Sequence, residues 1–157
     1  MKQFLVLILF FLNSNMFSQE KNYFYEIRKF DENYSSISVT SRFVHSVGFR
    51  YYWATEGLRD EDLIYKPSET GINTRETLEH IYGLAIMIHN GFHNKDIVRS
   101  KSYPSLSYDE LRKNTLELLE NTVILLDGIS EEDFKNAEIK FSNQSYPIYN
   151  LFHGPIS

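Results

Sequence analysis

Three stretches of the chain repeat apolar residues at the three-and-four spacing of a helix with one buried face. In the first, over 40–58, the stripe is Val44, Val47, Tyr51, Ala54 and Leu58, and Gly57 and then Pro67 close it. The second opens at Asn73, which Glu76 follows three residues later. That is the spacing of a capping box, in which each side chain satisfies the other residue's free backbone N–H. Behind it run Leu78, Ile81, Ala85, Ile88 and Phe92, with Gly91 and Asn94 marking the end. Ile86 and Met87 fall outside this stripe, so the helix is expected to touch neighbours on more than one side. The third helix follows Tyr103 and Pro104, opens on a second capping box, Ser107 with Glu110, and carries Leu111, Leu118, Thr122, Leu125 and Ile129. Leu119, Val123 and Leu126 widen that face, and Gly128 is a natural terminator. Beyond it, Ser130 to Asp133 reads as a short capped turn and 141–144 as a connector able to pair as a strand. Residues 147–157 read as the opening of one more helix, with an irregular first turn at Gly154 and Pro155.

Three long amphipathic helices and the start of a fourth predict an all-α fold, a four-helix bundle whose last member is only begun. A chain of 157 residues, 42% of them hydrophobic, suits one such domain. The helices that would pack on the incomplete one are expected to present an apolar groove to water. A second copy of the chain or another protein would cover it.

The first residues follow a different pattern. Lys2 supplies a positive start, 4–12 is an unbroken apolar run, and 13–19 is short and polar to small. That order predicts a signal peptide over 1–19, cut near Ser18 or Gln19, then a leader over 20–39 and the helical domain over 40–157. The apolar run falls well short of the roughly 20 residues a helical span requires, so no stable membrane span is expected after cleavage. The expected location is periplasmic or secreted. Charge and cysteine content narrow the partners. With 16 Lys and Arg against 21 Asp and Glu the formal net charge is −5, and loss of Lys2 makes it more negative. Such a surface repels phosphate backbones, which argues against nucleic acid as a partner. The absence of cysteine excludes disulfides, thiolate ligands and a cysteine nucleophile, and argues against a lipid-anchored lipoprotein.

Three segments taken together resemble the DinB-like superfamily, particularly a subgroup common in Bacteroidetes-type bacteria. They are Gly48-Phe49-Arg50-Tyr51-Tyr52-Trp53-Ala54-Thr55-Glu56-Gly57-Leu58 with Glu61-Asp62-Leu63, then Thr77-Leu78-Glu79-His80-Ile81-Tyr82, and finally Phe152-His153-Gly154-Pro155-Ile156-Ser157. The resemblance implies a four-helix bundle holding a divalent metal, commonly zinc or nickel, largely through histidines. His80 matches the first ligand, and the remaining ligands would be expected just past Ser157. A site needing three or more donors is not closed by one imidazole, so a metal is doubtful for the chain as it stands. The superfamily includes metal-dependent thiol transferases and a thiol-dependent isomerase. The implied function is therefore an exported, truncated relative of such an enzyme, of unknown specific activity and inactive as this chain. The alternative, from another class, is a non-catalytic exported helical module that binds a partner in the open apolar groove.

The candidate residues also have readings of their own. With Leu78 at zero on a helical wheel, His80 lies about 200° round, beside Leu84, at the border of the apolar arc. There it either points into a cleft or donates one hydrogen bond at the edge of the core. His89 and His93 are four apart, a spacing two imidazoles use to share a metal, but they lie about 140–180° from His80 and read as a solvated helix end. His45 reads as packed or solvent-facing. His153 departs from the resemblance's pattern and is not assigned to the metal, although it could approach His80. In Tyr51-Tyr52-Trp53 only one of three consecutive rings can face a bundle centre, so core packing is favoured over stacking on a substrate. Glu56 and Glu79 are either solvated or supports for a metal-bound imidazole. No phosphate-binding loop and no nucleophile elbow is present.

Overall fold

The computed structural model describes residues 22–29, 32–98, 100 and 102–153. The signal segment expected over 1–19 and the Gly154-Pro155 turn lie outside them.

Helix α1, Ser36–Ala54, starts earlier than the spacing predicts because its capping box uses serine at both ends. The Ser35 side chain accepts from Ser38 N at 3.1 Å, and Ser38 Oγ accepts from Ser35 N at 2.9 Å. The helix closes at Thr55, whose N–H bonds the Tyr51 carbonyl at 3.0 Å, and Gly57 follows in the left-handed region with φ of 69°. A single turn, α2, Asp60–Leu63, is held by Arg59 against Asp62. Helix α3, Thr74–Phe92, and helix α4, Tyr108–Gly128, open on the Asn73/Glu76 and Ser107/Glu110 boxes that the sequence predicts. Asn94, at φ of 56°, turns the chain away after α3. Ser130 caps the short α5, Glu131–Asn136. The expected connector at 141–144 proves to be the bend of a small antiparallel hairpin: β1, Glu138–Phe141, pairs with β2, Gln144–Pro147, Glu138 opposite Pro147 and Phe141 opposite Gln144. The segment expected to open a last helix is a 3-10 helix, Ile148–His153.

The molecule is mainly helical, and α4 is its centre. Both α1 and α3 lie along α4, while α1 and α3 scarcely touch each other. Side-chain contacts fix the directions. Arg112, near the start of α4, bonds Thr55 at the end of α1, while Asp127 at the other end of α4 meets Ser41 near the start of α1. These two helices are antiparallel. Arg75, at the start of α3, reaches the carbonyl of Leu106 just before α4, and His89 near the end of α3 approaches Thr122. Those two are parallel.

This central position moves the buried line on α4. Leu111, Leu119, Val123 and Leu126 are almost fully buried, whereas the predicted stripe members Leu118, Leu125 and Ile129 are half-buried. A helix flanked on two sides needs a wider apolar arc than one stripe provides. Thr115 and Thr122, both fully buried on α4, satisfy their hydroxyls by donating to the carbonyls four residues back, each at 2.7 Å. The segment before α1 joins the core through Phe24, which is fully buried. Arg28 fastens the same segment to the far end of α4, its Nη1 donating to Asp127 at 2.9 Å and to Ser41 Oγ at 3.0 Å. Among the described residues no helix is long and apolar enough to cross a membrane.

Candidate functional site: a groove between two helices

Because α1 and α3 share a partner but scarcely touch, a groove of about 450 Å³ runs between them over the surface of α4. Its walls are the predicted stripes. Val47, Tyr51, Ala54 and Leu58 come from α1 and the turn after it; Leu78, Ile81, Ala85 and Ile88 come from α3; Leu119 of α4 lines it as well. Arg50, Thr55, Thr74 and Thr77 add polar groups to an otherwise apolar lining. At the end of α1 and α3 away from Thr74, the 3-10 helix spans from one to the other. Ile148 packs 2.9 Å from where a Gly91 Cβ would stand, and the Phe152 ring meets Phe43 of α1 edge-on at 5.9 Å. Gly91 is thus the close-approach point that lets the chain return over α3.

Tyr51 is the one groove residue with an unmet polar demand. Its side chain is buried, and among the described residues its Oη has no hydrogen-bond partner. The side chain best placed to answer it is Thr115, whose hydroxyl donates to the Leu111 carbonyl and so meets the phenol only through its remaining acceptor lone pair. Burial raises the phenol's pKa above the ordinary tyrosine value. A buried hydroxyl without a partner costs about 1–3 kcal/mol, which a bound group able to accept its proton would return.

The predicted site residues distribute unevenly around this groove. His80 is exposed on α3. On the helical wheel it stands next to Leu84 and Thr77, which line the groove, so it occupies the rim and not the floor. His153, exposed on the 3-10 helix, is not joined to it by any contact among the described residues. Ile148 of that helix packs at Gly91, about 16 Å along the α3 axis from His80. Glu79 does not face His80's side of α3: it is buried and accepts from Arg75 Nε at 2.8 Å. Arg75 also donates to the carbonyls of Tyr103 and Leu106, fastening the α3–α4 connection. Glu56 pairs with Arg112, which in turn stacks 4.8 Å over the Tyr52 ring. Both glutamates therefore have structural partners. Among the described residues no group of three His, Asp or Glu side chains is placed to hold a metal ion.

His89 and His93 are not the solvated end that their spacing suggested. Both are half-buried, with rings 4.2 Å apart, and His89 Nδ1 lies 3.4 Å from Thr122 Oγ1. Burial, then the neighbouring His93 and Lys95, bring the His89 pKa down to about 4. Burial and Lys95 lower His93 as well, and its Nε2 is buried with no partner among the described residues. His45 is buried in the aromatic packing of Tyr23 and Phe24, and burial followed by Arg28 and Arg42 lowers its pKa. Of the three adjacent aromatics, Tyr51 is buried in the core and Tyr52 packs against it half-buried, while Trp53 is 45% exposed and donates to the Tyr25 carbonyl at 3.2 Å.

One feature of α1 was not anticipated. Val39, Phe43, Ser46 and Phe49, with Arg42 and Arg50, line a second cavity on its outer side. The three-and-four spacing of Val39, Phe43 and Ser46 was available as a signal, but a stripe ending in polar residues reads as surface. No family model, curated protein or solved structure matches this chain.

Proposed function

We propose that the chain is a non-catalytic, exported helical module that seats an amphipathic helix of a partner protein in the groove between α1 and α3. The observation that carries this reading is the pairing of two apolar stripes that line one groove over α4 while their helices scarcely touch. An occupant in such a groove must bring its own backbone hydrogen bonds, because the walls offer mainly side-chain carbon. A helix does so, and it presents apolar anchors at the spacing the groove displays. Thr74 and Thr77 supply polar contacts for its flanks, and the Tyr51 hydroxyl supplies one buried hydrogen bond. A helix in this position would complete the four-helix arrangement that the DinB-like resemblance implies, and the opening with Lys2 and the apolar 4–12 run supports export.

A second reading keeps the metal-dependent ancestry. It rests on His80, whose exposed place at the groove rim leaves its imidazole open to a zinc or nickel ion if a segment in the groove brought further donors. In that reading the metal would supply an acidified water or thiol.

Fluorescence anisotropy separates the two. A labelled amphipathic peptide of about 18 residues, with one leucine stripe and balanced Glu and Lys, is titrated with the protein. The module reading expects saturable binding that Ile81→Asp abolishes and His80→Ala leaves unchanged, with or without added zinc. Binding that requires zinc and is lost in His80→Ala supports the metal reading. No binding under either condition contradicts both.

A further inference from the structure

We propose that the second cavity, on the outer side of α1, is a binding site for a single-chain carboxylate amphiphile of the fatty-acid type. The cavity holds about 490 Å³, within the range of small-ligand sites. Ile27 and Tyr34, from before α1, line it together with Val39, Phe43 and Phe49 of the helix. These side chains are apolar or aromatic, and Tyr34, Ile27 and Phe43 are 82%, 65% and 48% exposed in the free protein. An alkyl chain lying among them would remove that surface from water.

The charge at this cavity runs against the rest of the molecule. The chain carries a net −5, yet the cavity's charged lining residues are Arg28, Arg42 and Arg50, with no carboxylate among the described lining residues. Arg28 is committed to Asp127 and Ser41. Arg42 and Arg50 have no ion pair among the described residues: Arg42 donates to the Arg28 carbonyl at 3.3 Å, and Arg50 donates to Ser46 one turn back. Both guanidiniums are exposed, and on the α1 wheel they lie about 80° apart with Ser46 between them. His45, on the cavity wall, has its pKa lowered by burial and then by Arg28 and Arg42. Arg50 stands two turns on from Arg42, about 12 Å along the helix axis, so the apolar slot carries a guanidinium without an ion pair towards each end, with the Ser46 hydroxyl between them. A planar carboxylate pairs bidentately with one such guanidinium, whereas a cationic or neutral head offers it no countercharge.

The test is isothermal titration of the full chain with dodecanoate below its micellar concentration, beside dodecanol, dodecyltrimethylammonium and butyrate. One saturable dodecanoate site is expected, with dodecanol and the cationic amphiphile each weakened roughly tenfold or more and butyrate not bound. Arg42→Gln should weaken dodecanoate roughly tenfold, Arg42→Lys less, and Val39→Asp should block the tail. These positions are exposed on α1, and circular dichroism verifies that each variant keeps its helix content. Ile81→Asp, in the other groove, should leave dodecanoate binding unchanged. Equal binding of dodecanol and dodecanoate, insensitivity to Arg42→Gln, loss in Ile81→Asp, or no binding would each overturn the assignment.

Discussion

The ring of Phe24, fully buried, rests directly on the backbone of Gly48, and a Cβ at that glycine would stand 2.3 Å from the ring's Cε1. A residue from the segment before the first helix therefore depends on a hydrogen atom where every other amino acid has a carbon. Phe24 in turn packs against His45, one turn before Gly48. The segment is bound into the core by shape as much as by the Arg28–Asp127 ion pair.

It follows that Gly48→Ala should destabilise the protein although alanine favours helices. The helical gain is about 1 kcal/mol, while overpacking a fully buried aromatic costs about 1–3 kcal/mol. Urea unfolding should show a lower midpoint, and the double variant Gly48→Ala with Phe24→Leu should recover part of the loss. A midpoint raised by Gly48→Ala alone would refute the packing.

Arg112 is expected to matter more than its half-exposed position suggests. Its Nε donates to Thr55 Oγ1 at 3.0 Å and its Nη2 to the Tyr52 carbonyl at 3.1 Å, so one side chain from α4 closes the end of α1. Arg112→Ala should cost about 1–3 kcal/mol in unfolding free energy, and Arg112→Lys should recover only part because it lacks the fork. Glu56→Gln should cost little, because that pair is half open to water.

Stability should fall as pH drops through the histidine range. In the folded chain His89 titrates at about 4, against 6.5 for the free side chain. Above 6.5 both states hold it neutral and nothing is lost; between 6.5 and about 4 the unfolded chain takes up the proton first, which favours unfolding. His45 and His93, also lowered, act in the same direction. Asp62, held at about 2 by Arg59, acts in a separate and more acidic window. The thermal midpoint should therefore decline from pH 7 to pH 4.5, and His89→Gln should flatten that decline. An unchanged slope in His89→Gln would show that its burial is not retained in solution.

Much of this architecture is written in local signals, and the exceptions have physical causes. The Asn73/Glu76 and Ser107/Glu110 boxes name their own helix starts, and the stripes of α1 and α3 name the walls of the groove. The start of α1 was misplaced because Ser38 fills the role usually taken by Glu or Gln. Phe24 was missed because one core residue in an aperiodic segment has no pattern to belong to. His89 and His93 looked solvated because sequence spacing does not report that α4 runs alongside them. His80 was legible as a border residue and stands at the border; whether an ion or a partner helix meets it is a matter of what enters the groove, which local spacing does not encode.

Tyr51 offers a direct probe of the groove. Its hydroxyl is buried with no partner among the described residues, so Tyr51→Phe should leave the free protein as stable or raise its stability by about 1 kcal/mol. The same change should weaken binding of the amphipathic peptide. A loss of stability in the free protein would mean that the hydroxyl is already satisfied.

The most direct test of the helix-binding claim is methyl-selective NMR of the protein with and without the amphipathic peptide. Intermolecular contacts and shifts should concentrate on Val47, Ile81, Leu84, Ala85 and Ile88, with sedimentation showing one peptide per protein monomer. Shifts confined to Val39 and Ile27, or self-association of the chain that excludes the peptide, would contradict the assignment of the groove to a partner's helix.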